Sequence, residues 1–184
     1  MHRTLMGAVA ALAVVFSALG ADEPKAEPTQ KVEADKLSFS APATWKKGTP
    51  KSAMRKAQLT VPAAEGDNEP AMLVVFALPG AAGGIASNID RYKGQFKSAD
   101  GKPVETQTKV VKVKGQEVTR VEIAGTYKDP FGTGASLPEA RMLAAMAESG
   151  GIGYFIRLVG PEKTVKAAMP AFDTMIKTIA IEKD

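Results

Sequence analysis

Residues 71–78, AMLVVFAL, form an uninterrupted apolar run between Pro70 and Pro79. A run of this length between two chain breakers is typical of a central strand that is covered on both faces. A second apolar run, YFIRLV at residues 154–159, follows a Gly-Gly pair and also indicates a strand. The sequence therefore predicts a sheet in which residues 71–78 are a central strand.

Shorter strands are predicted on either side of this segment. Residues 37–40 (LSFS) alternate apolar and polar side chains, and residues 58–61 (QLTV) end at a proline. Residues 106–113 and 118–124 are rich in Val, Thr and Ile, and Lys114-Gly115 between them is typical of a tight turn. These patterns predict two short strands and a β-hairpin.

Two regions predict helices. In residues 85–97 the apolar side chains Ile85, Ile89, Tyr92 and Phe96 recur at spacings of four, three and four, which is one helical stripe. Near the C-terminus, residues 164–169 can form a helical turn, and Pro170 suits the first position of a second helix. That second helix carries an apolar stripe made of Phe172, Met175, Ile176 and Ile179.

Residues 140–148, ARMLAAMAE, have two interpretations. They consist almost wholly of good helix formers, so local propensity favours a helix. The following Gly150-Gly151 pair leads at once into the strand at residues 154–159, which favours a hairpin and therefore a strand.

The N-terminus has the pattern of an export signal over residues 1–21. Arg3 precedes an uncharged apolar run of about 15 residues, shorter than the roughly 20 that span a bilayer, and small residues follow it up to Gly20 and Ala21. Cleavage after either residue would leave a soluble exported protein with no transmembrane segment. Residues 22–36 are acidic and poor in large apolar side chains, which predicts a disordered linker before a single domain at residues 37–184.

The composition excludes several kinds of chemistry. The chain has no cysteine and one histidine, His2, which lies in the predicted signal. The mature protein would lack thiol nucleophiles, histidine-based triads, disulfides and the usual zinc sites. The carboxylates Glu65, Asp67 and Glu69 could bind calcium or magnesium, but their spacing does not complete an EF-hand loop. We expect a solvated loop there and no cofactor or metal.

The net charge of the domain indicates which classes of partner it could bind. Residues 36–184 contain 21 basic and 15 acidic residues, a net charge of about +6. A basic run, Lys46, Lys47, Lys51, Arg55 and Lys56, could contact an anionic polymer or lipid surface, although a charged loop is the simpler interpretation. Few aromatic residues interleave with it, so no nucleic acid is expected as a partner. The glycine-rich residues 80–84 match neither a phosphate loop nor a dinucleotide fingerprint, and we interpret them as a connector.

Five residues are candidates for a binding surface. Trp45 could be a stacking platform, although core packing is the simpler interpretation. Asn88, Arg91 and Gln95 fall along one strip of the predicted helix, with Tyr92 beside them, and could form a polar binding face.

The opening Phe39-x-x-Pro42-x-x-Trp45 resembles proteins with the PsbP/Mog-like fold, and so do the closing residues 154–156, 160–161 and 172–179. Residues 83–96 also resemble uncharacterised exported bacterial proteins of this type. The resemblance implies an α+β fold, an antiparallel sheet with helices packed against it, in which residues 140–148 are a strand. Its members include a non-catalytic accessory subunit of a photosystem and a protein that binds a small GTPase.

The resemblance therefore implies a scaffold that binds partners. Together with the predicted export signal, it leads us to expect a non-catalytic binding or accessory protein of the cell envelope, contacting a protein or an anionic envelope component. Two alternatives stay open. One is a binder of anionic polymer or lipid. The other is a hydrolase that uses two carboxylates about 5–10 Å apart. The carboxylates available to such a hydrolase are Glu105, Glu117, Glu122, Asp129, Glu139 and Glu148.

Overall fold

The computed structural model describes residues 27–50, 52–130 and 136–183. The predicted export signal, residues 1–21, lies outside the described residues, as do the first five residues of the predicted linker. The strands are β1 (Thr29–Ala34), β2 (Leu37–Pro42), β3 (Lys46–Gly48), β4 (Arg55–Val61), β5 (Ala71–Pro79), β6 (Phe96–Lys97), β7 (Thr106–Val113), β8 (Gln116–Lys128), β9 (Ser136–Ser149), β10 (Ile152–Pro161) and β11 (Ala180–Ile181). The helices are α1 (Gly84–Lys93) and α2 (Glu162–Thr178), and a short 3₁₀ segment (Gly80–Gly83) precedes α1.

The larger sheet is antiparallel throughout and has the order β3-β4-β5-β10-β9-β8, with β6 and β7 both paired to the free edge of β8. The expected central strand is confirmed as β5, which pairs with β4 on one side and β10 on the other. In residues 71–78 of β5, the side chains are all buried on one face of the sheet only, because Met72 on the other face is exposed. The predicted hairpin is also confirmed: β7 and β8 are joined by Lys114 and Gly115, both with positive φ, as a type I′ turn requires.

A smaller sheet has the order β1-β2-β11, and it corrects the prediction that residues 22–36 are a disordered linker. Residues 29–34 form β1, which pairs with β2 so that Val32 lies opposite Phe39. Val32 and Ala34 are buried while the charged residues that alternate with them, Lys31 and Glu33, are exposed. The segment is ordered because its few apolar side chains alternate and enter a core that other segments supply.

Residues 140–148 lie in a strand, as the fold resemblance implied and local propensity did not. They belong to β9, which lies between β8 and β10, and residues 142–147 are all buried. A strand that is covered on both faces needs continuous small and apolar side chains, and this run of Ala, Met and Leu supplies them. Sheet pairing therefore overrides helix propensity here.

Both helices differ from their predicted bounds. α1 ends at Lys93, and Phe96 belongs to β6, where it pairs with Tyr127 of β8. α2 is one helix that continues through Pro170 instead of two helices that meet there. The buried side chains of α2 on either side of the proline, among them Val165 and Phe172, pack on the same sheet face and hold the helix together.

The large sheet separates two apolar cores. One face packs against α2 and the smaller sheet, in a core that includes Leu73, Tyr154 and Phe172. The opposite face packs against α1, in a core that includes Tyr92 and Phe155. The protein is therefore an α+β fold in which antiparallel sheets carry two packed helices, as predicted.

Candidate functional site

A cleft of about 120 Å³ lies between α1 and the neighbouring face of β5 and β10. We call it the α1 cleft. Its described lining residues are Met54, Phe76, Leu78, Asn88, Arg91, Tyr92, Gln95, Phe155 and Arg157. Two of these side chains are cationic and none is acidic. The cleft is therefore an apolar and aromatic recess with a positive charge.

The backbone before α1 is bent so that this helix lies close to the sheet. Ala81 and Ala82 both have positive φ, 52° and 48°, in the 3₁₀ segment. Asn88, which is 2% exposed, holds this bend because its side-chain Nδ2 donates to the carbonyl oxygens of Gly84 (2.8 Å) and Ala82 (3.3 Å). On the sheet side, a Cβ on Gly153 would lie 2.8 Å from the Cα of Ala81. Only a glycine lets the backbones approach this closely.

Arg157 is the central charged group of the cleft. It lies in the middle of β10, opposite Val74 of β5, and is 6% exposed. Its Nη1 donates to Oε1 of Gln95 at 3.3 Å, and its guanidinium carbon lies 5.7 Å from the centre of the Tyr92 ring and 5.8 Å from that of Phe76. No acidic side chain in the described residues lies within 4.0 Å of its nitrogens. Arg157 is thus a buried cation held by two rings and an amide.

Two further ionisable side chains, Tyr92 and Arg91, line the cleft. Burial raises the pKa of Tyr92, while the nearby Arg157 and Arg91 act in the opposite direction. Tyr92 is therefore neutral at physiological pH. Arg91 is exposed at the rim, where its Nη2 donates to the carbonyl oxygen of Ala82 at 3.3 Å. The cleft thus has one cation in its interior and one at its mouth.

Four of the five predicted binding residues line this cleft: Asn88, Arg91, Tyr92 and Gln95. Asn88, Arg91 and Gln95 do not form one exposed strip of the helix, because Asn88 and Gln95 are buried and Gln95 follows the end of the helix. The structure separates Trp45 from these four. Trp45 is 4% exposed in the opposite core, so it offers no stacking platform.

The sequence interpretation missed Arg157, although a signal for it was present. An arginine in the apolar run YFIRLV stands where a strand that is buried on both faces should carry an apolar side chain. The aromatic walls, Phe76 and Phe155, come from β5 and β10, and the pairing of these two strands sets them opposite each other.

A second polar cluster lies on the α2 side of the sheet. Arg141 donates to Glu122 and, through Nη2 at 2.6 Å, to Glu162, while Arg120 bridges Glu122 and Asp173. Hydrogen bonds from Lys166 and then Arg141 lower the pKa of Glu162. A general acid needs a raised pKa, so this network has the electrostatics of a structural ion-pair cluster.

The other charged candidates lie outside the cleft. Asp67 Oδ2 accepts from the backbone N (2.8 Å) and hydroxyl (2.6 Å) of Thr164, so this carboxylate is held by the first turn of α2, while Glu65 and Glu69 are exposed. Among the described residues no three His, Cys, Asp or Glu side chains gather as metal ligands. Lys46 and Lys47 of the basic run lie in the exposed edge strand β3; Lys51 lies outside the described residues.

Neither helix in the described part of the chain has the length and apolar character to cross a membrane. No protein-family model and no curated protein matches the sequence.

Solved structures that resemble the fold over most of its length include the following two. One is PA94 from Pseudomonas aeruginosa, a protein of unknown function. It matches with a TM-score of 0.53 and 11% sequence identity, and the match covers 85% of this chain and 99% of PA94. The other is the cyanobacterial PsbP, CyanoP, from Synechocystis sp. PCC 6803. It matches with a TM-score of 0.53 and 15% sequence identity, and the match covers 90% of this chain and 100% of CyanoP. At these identities the likeness establishes the fold alone. The chain has a PsbP-like α+β fold.

Proposed function

We propose that the protein is a non-catalytic binding or accessory protein of the cell envelope, exported by residues 1–21, and that it binds its partner or ligand through the α1 cleft. The predicted signal supports export. The fold, with two helices packed on antiparallel sheets, supports a scaffold role without naming a partner.

The main observation in support of this proposal is that Arg157 is buried without an acidic partner among the described residues. A largely buried guanidinium without an acidic partner costs free energy, because most of its hydration is lost and no opposite charge replaces it. The rings of Tyr92 and Phe76 and the amide of Gln95 compensate this cost only in part. A bound anionic group would supply the missing partner, which is why we assign binding to this cleft.

A carboxylate-dependent hydrolase is the competing function, and the α2-side cluster argues against it. Glu122 accepts hydrogen bonds from both Arg120 and Arg141. Its neighbour Glu162 has a lowered pKa, the opposite of what proton donation to a leaving group requires. Glu122 and Glu162 are thus each paired with an arginine.

Binding to an anionic polymer is a second candidate, supported by a different surface. A groove of about 580 Å³ between β7 and α2 is lined by exposed Lys109, Lys112 and Lys177. A polyanion bound there would be held mainly by exposed charges, so retention on a polyanion column would fall steeply with salt. Retention that salt leaves unchanged excludes this candidate.

The test of the main proposal is affinity capture of envelope components by the mature chain, compared with Arg157→Gln and with the exposed control Lys109→Gln. We expect the wild type and Lys109→Gln to retain the same species and Arg157→Gln to lose it, since only that variant removes the cation of the cleft. Identical capture by all three proteins would show that the α1 cleft is not the binding site. N-terminal sequencing of the native protein tests export, with a start at residue 21 or 22 expected.

A further inference from the structure

We infer that the α1 cleft takes a carboxylate group on a short apolar stem, with Arg157 as its anchor. This inference rests on the proposed function, since it names the ligand class of the same site. It follows from the charge, the volume and the helix orientation of the cleft.

The charge of the lining selects an anion. Arg157 and Arg91 are its two ionised described residues, and only Arg157 is buried. Gln95 accepts one hydrogen bond from Nη1 of Arg157, and no other hydrogen bond joins this guanidinium to the described residues. A guanidinium has five N–H donors in a planar fork, and a carboxylate accepts two of them side by side.

The volume selects a small group. Pockets that bury a drug-sized ligand measure about 300–1,000 Å³. The α1 cleft, at about 120 Å³, is smaller and therefore suits a small group. The walls beside the cation are Phe76, Leu78 and Phe155, which suits an apolar stem. Met54, 56% exposed, lies at the opening, where the rest of a larger ligand would leave the cleft.

The orientation of α1 disfavours a phosphate. Arg91 and Tyr92 lie in the last turn of this helix, Asn88 is its fifth residue, and Gln95 lies just beyond its end. The C-terminus of a helix carries the negative end of its dipole, whereas phosphates are typically bound at N-termini and by several cations. A monoanionic planar group with one bidentate partner fits this environment better than a tetrahedral dianion.

The test is an NMR titration of the ¹⁵N-labelled mature chain with sodium butyrate, its neutral analogue butyramide, and ethyl phosphate, all at constant ionic strength. We expect butyrate to shift the amide signals of α1 and β10 with a dissociation constant on the order of 1 mM, as befits a ligand of six heavy atoms. Butyramide should bind at least about tenfold more weakly, because the charge-assisted hydrogen bonds are lost.

Variants locate the site. Arg157→Gln should weaken butyrate binding by about tenfold or more, while the rim control Arg91→Gln should weaken it less than about threefold. Should Arg157→Gln not fold, the comparison of butyrate with butyramide on the wild type decides the matter alone.

Three results would overturn the inference: no response of the cleft signals to butyrate at about 50 mM, equal binding of butyramide, or tighter binding of ethyl phosphate. If envelope capture still depends on Arg157 in these cases, the ligand class is wrong and the proposed function stands. If that dependence is also absent, both are wrong.

Discussion

The Nη1 atom of Arg157 donates to Oε1 of Gln95 across 3.3 Å. This hydrogen bond joins the middle of the large sheet to the short connection between α1 and β6, where Gln95 lies. The partner of the buried cation is thus an amide where a carboxylate of nearly the same shape would fit. Gln95→Glu should act as a built-in ligand. We expect it to abolish butyrate binding and to raise the free energy of unfolding by about 1 kcal/mol through the new ion pair. NMR titration and urea unfolding measure the two effects, and unchanged butyrate affinity in this variant would contradict the prediction.

Arg157→Met should stabilise the protein. Methionine keeps an unbranched apolar stem and removes a charge that is buried without an acidic partner, so we expect a gain of about 1–2 kcal/mol in the free energy of unfolding. Urea unfolding at pH 7 tests this, with the exposed Lys109→Met expected to stay within about 0.5 kcal/mol of wild type. A loss of stability in Arg157→Met would mean that Arg157 serves the fold rather than a ligand.

Asn88→Ala should loosen α1. Its buried amide donates to the carbonyl oxygens of Ala82 and Gly84, and without it these groups lose a partner. We expect a loss of about 1–3 kcal/mol and faster hydrogen exchange in α1 than in α2. Asn68→Ala, in an exposed loop, is the matched control and should change neither quantity. Equal acceleration in both helices would argue that Asn88 supports the whole fold instead of the bend before α1.

Gly153→Ala should separate the 3₁₀ segment from the sheet. The added Cβ would lie 2.8 Å from the Cα of Ala81 and 2.7 Å from a ring carbon of Phe155, and the first contact is to backbone. We expect a loss of about 1–3 kcal/mol, typical of overpacking. Gly48→Ala is the control, since its nearest contact is 3.4 Å, to the end of the Gln58 side chain. Similar melting temperatures for the two variants would show that the close approach is not required.

The acid sensitivity of the fold should depend on Glu162. Hydrogen bonds from Lys166 and Arg141 lower its pKa below the ordinary value of 4.5. A folded-state pKa below that of the unfolded chain adds stability that is complete above about pH 5.5 and is lost as the pH falls through the folded-state value. The stability difference between wild type and Glu162→Gln should therefore be constant near neutrality and shrink below pH 4.5. Urea unfolding between pH 3 and 7 measures it, with exposed Glu69→Gln as control. A difference that grows towards low pH would have the wrong sign.

The fold could be predicted where each segment carries its own signal. The apolar run of β5 and the Lys114-Gly115 turn are local patterns, and both are confirmed. β1 could not be identified, because its order depends on Phe39 and on a core formed by distant segments. Local propensity was wrong for residues 142–147, since a strand between two others is selected by burial on both faces.

Only those residues of the candidate site that lie close together along the chain could be predicted from the sequence. Asn88, Arg91, Tyr92 and Gln95 lie within eight residues of the chain, so their proximity follows from local geometry. Arg157 reaches the same cleft through the pairing of β10 with β5, which spacing along the chain does not encode. Trp45 was grouped with them by residue type, and the fold places it in the opposite core.

Among the described residues the two cores share no side chain, since the large sheet lies between them. A substitution on the α1 side therefore leaves the packing of α2 and the smaller sheet in place. This arrangement makes the molecule modular: one half can be redesigned, by selection or by an engineer, to recognise a new ligand while the other half preserves the scaffold.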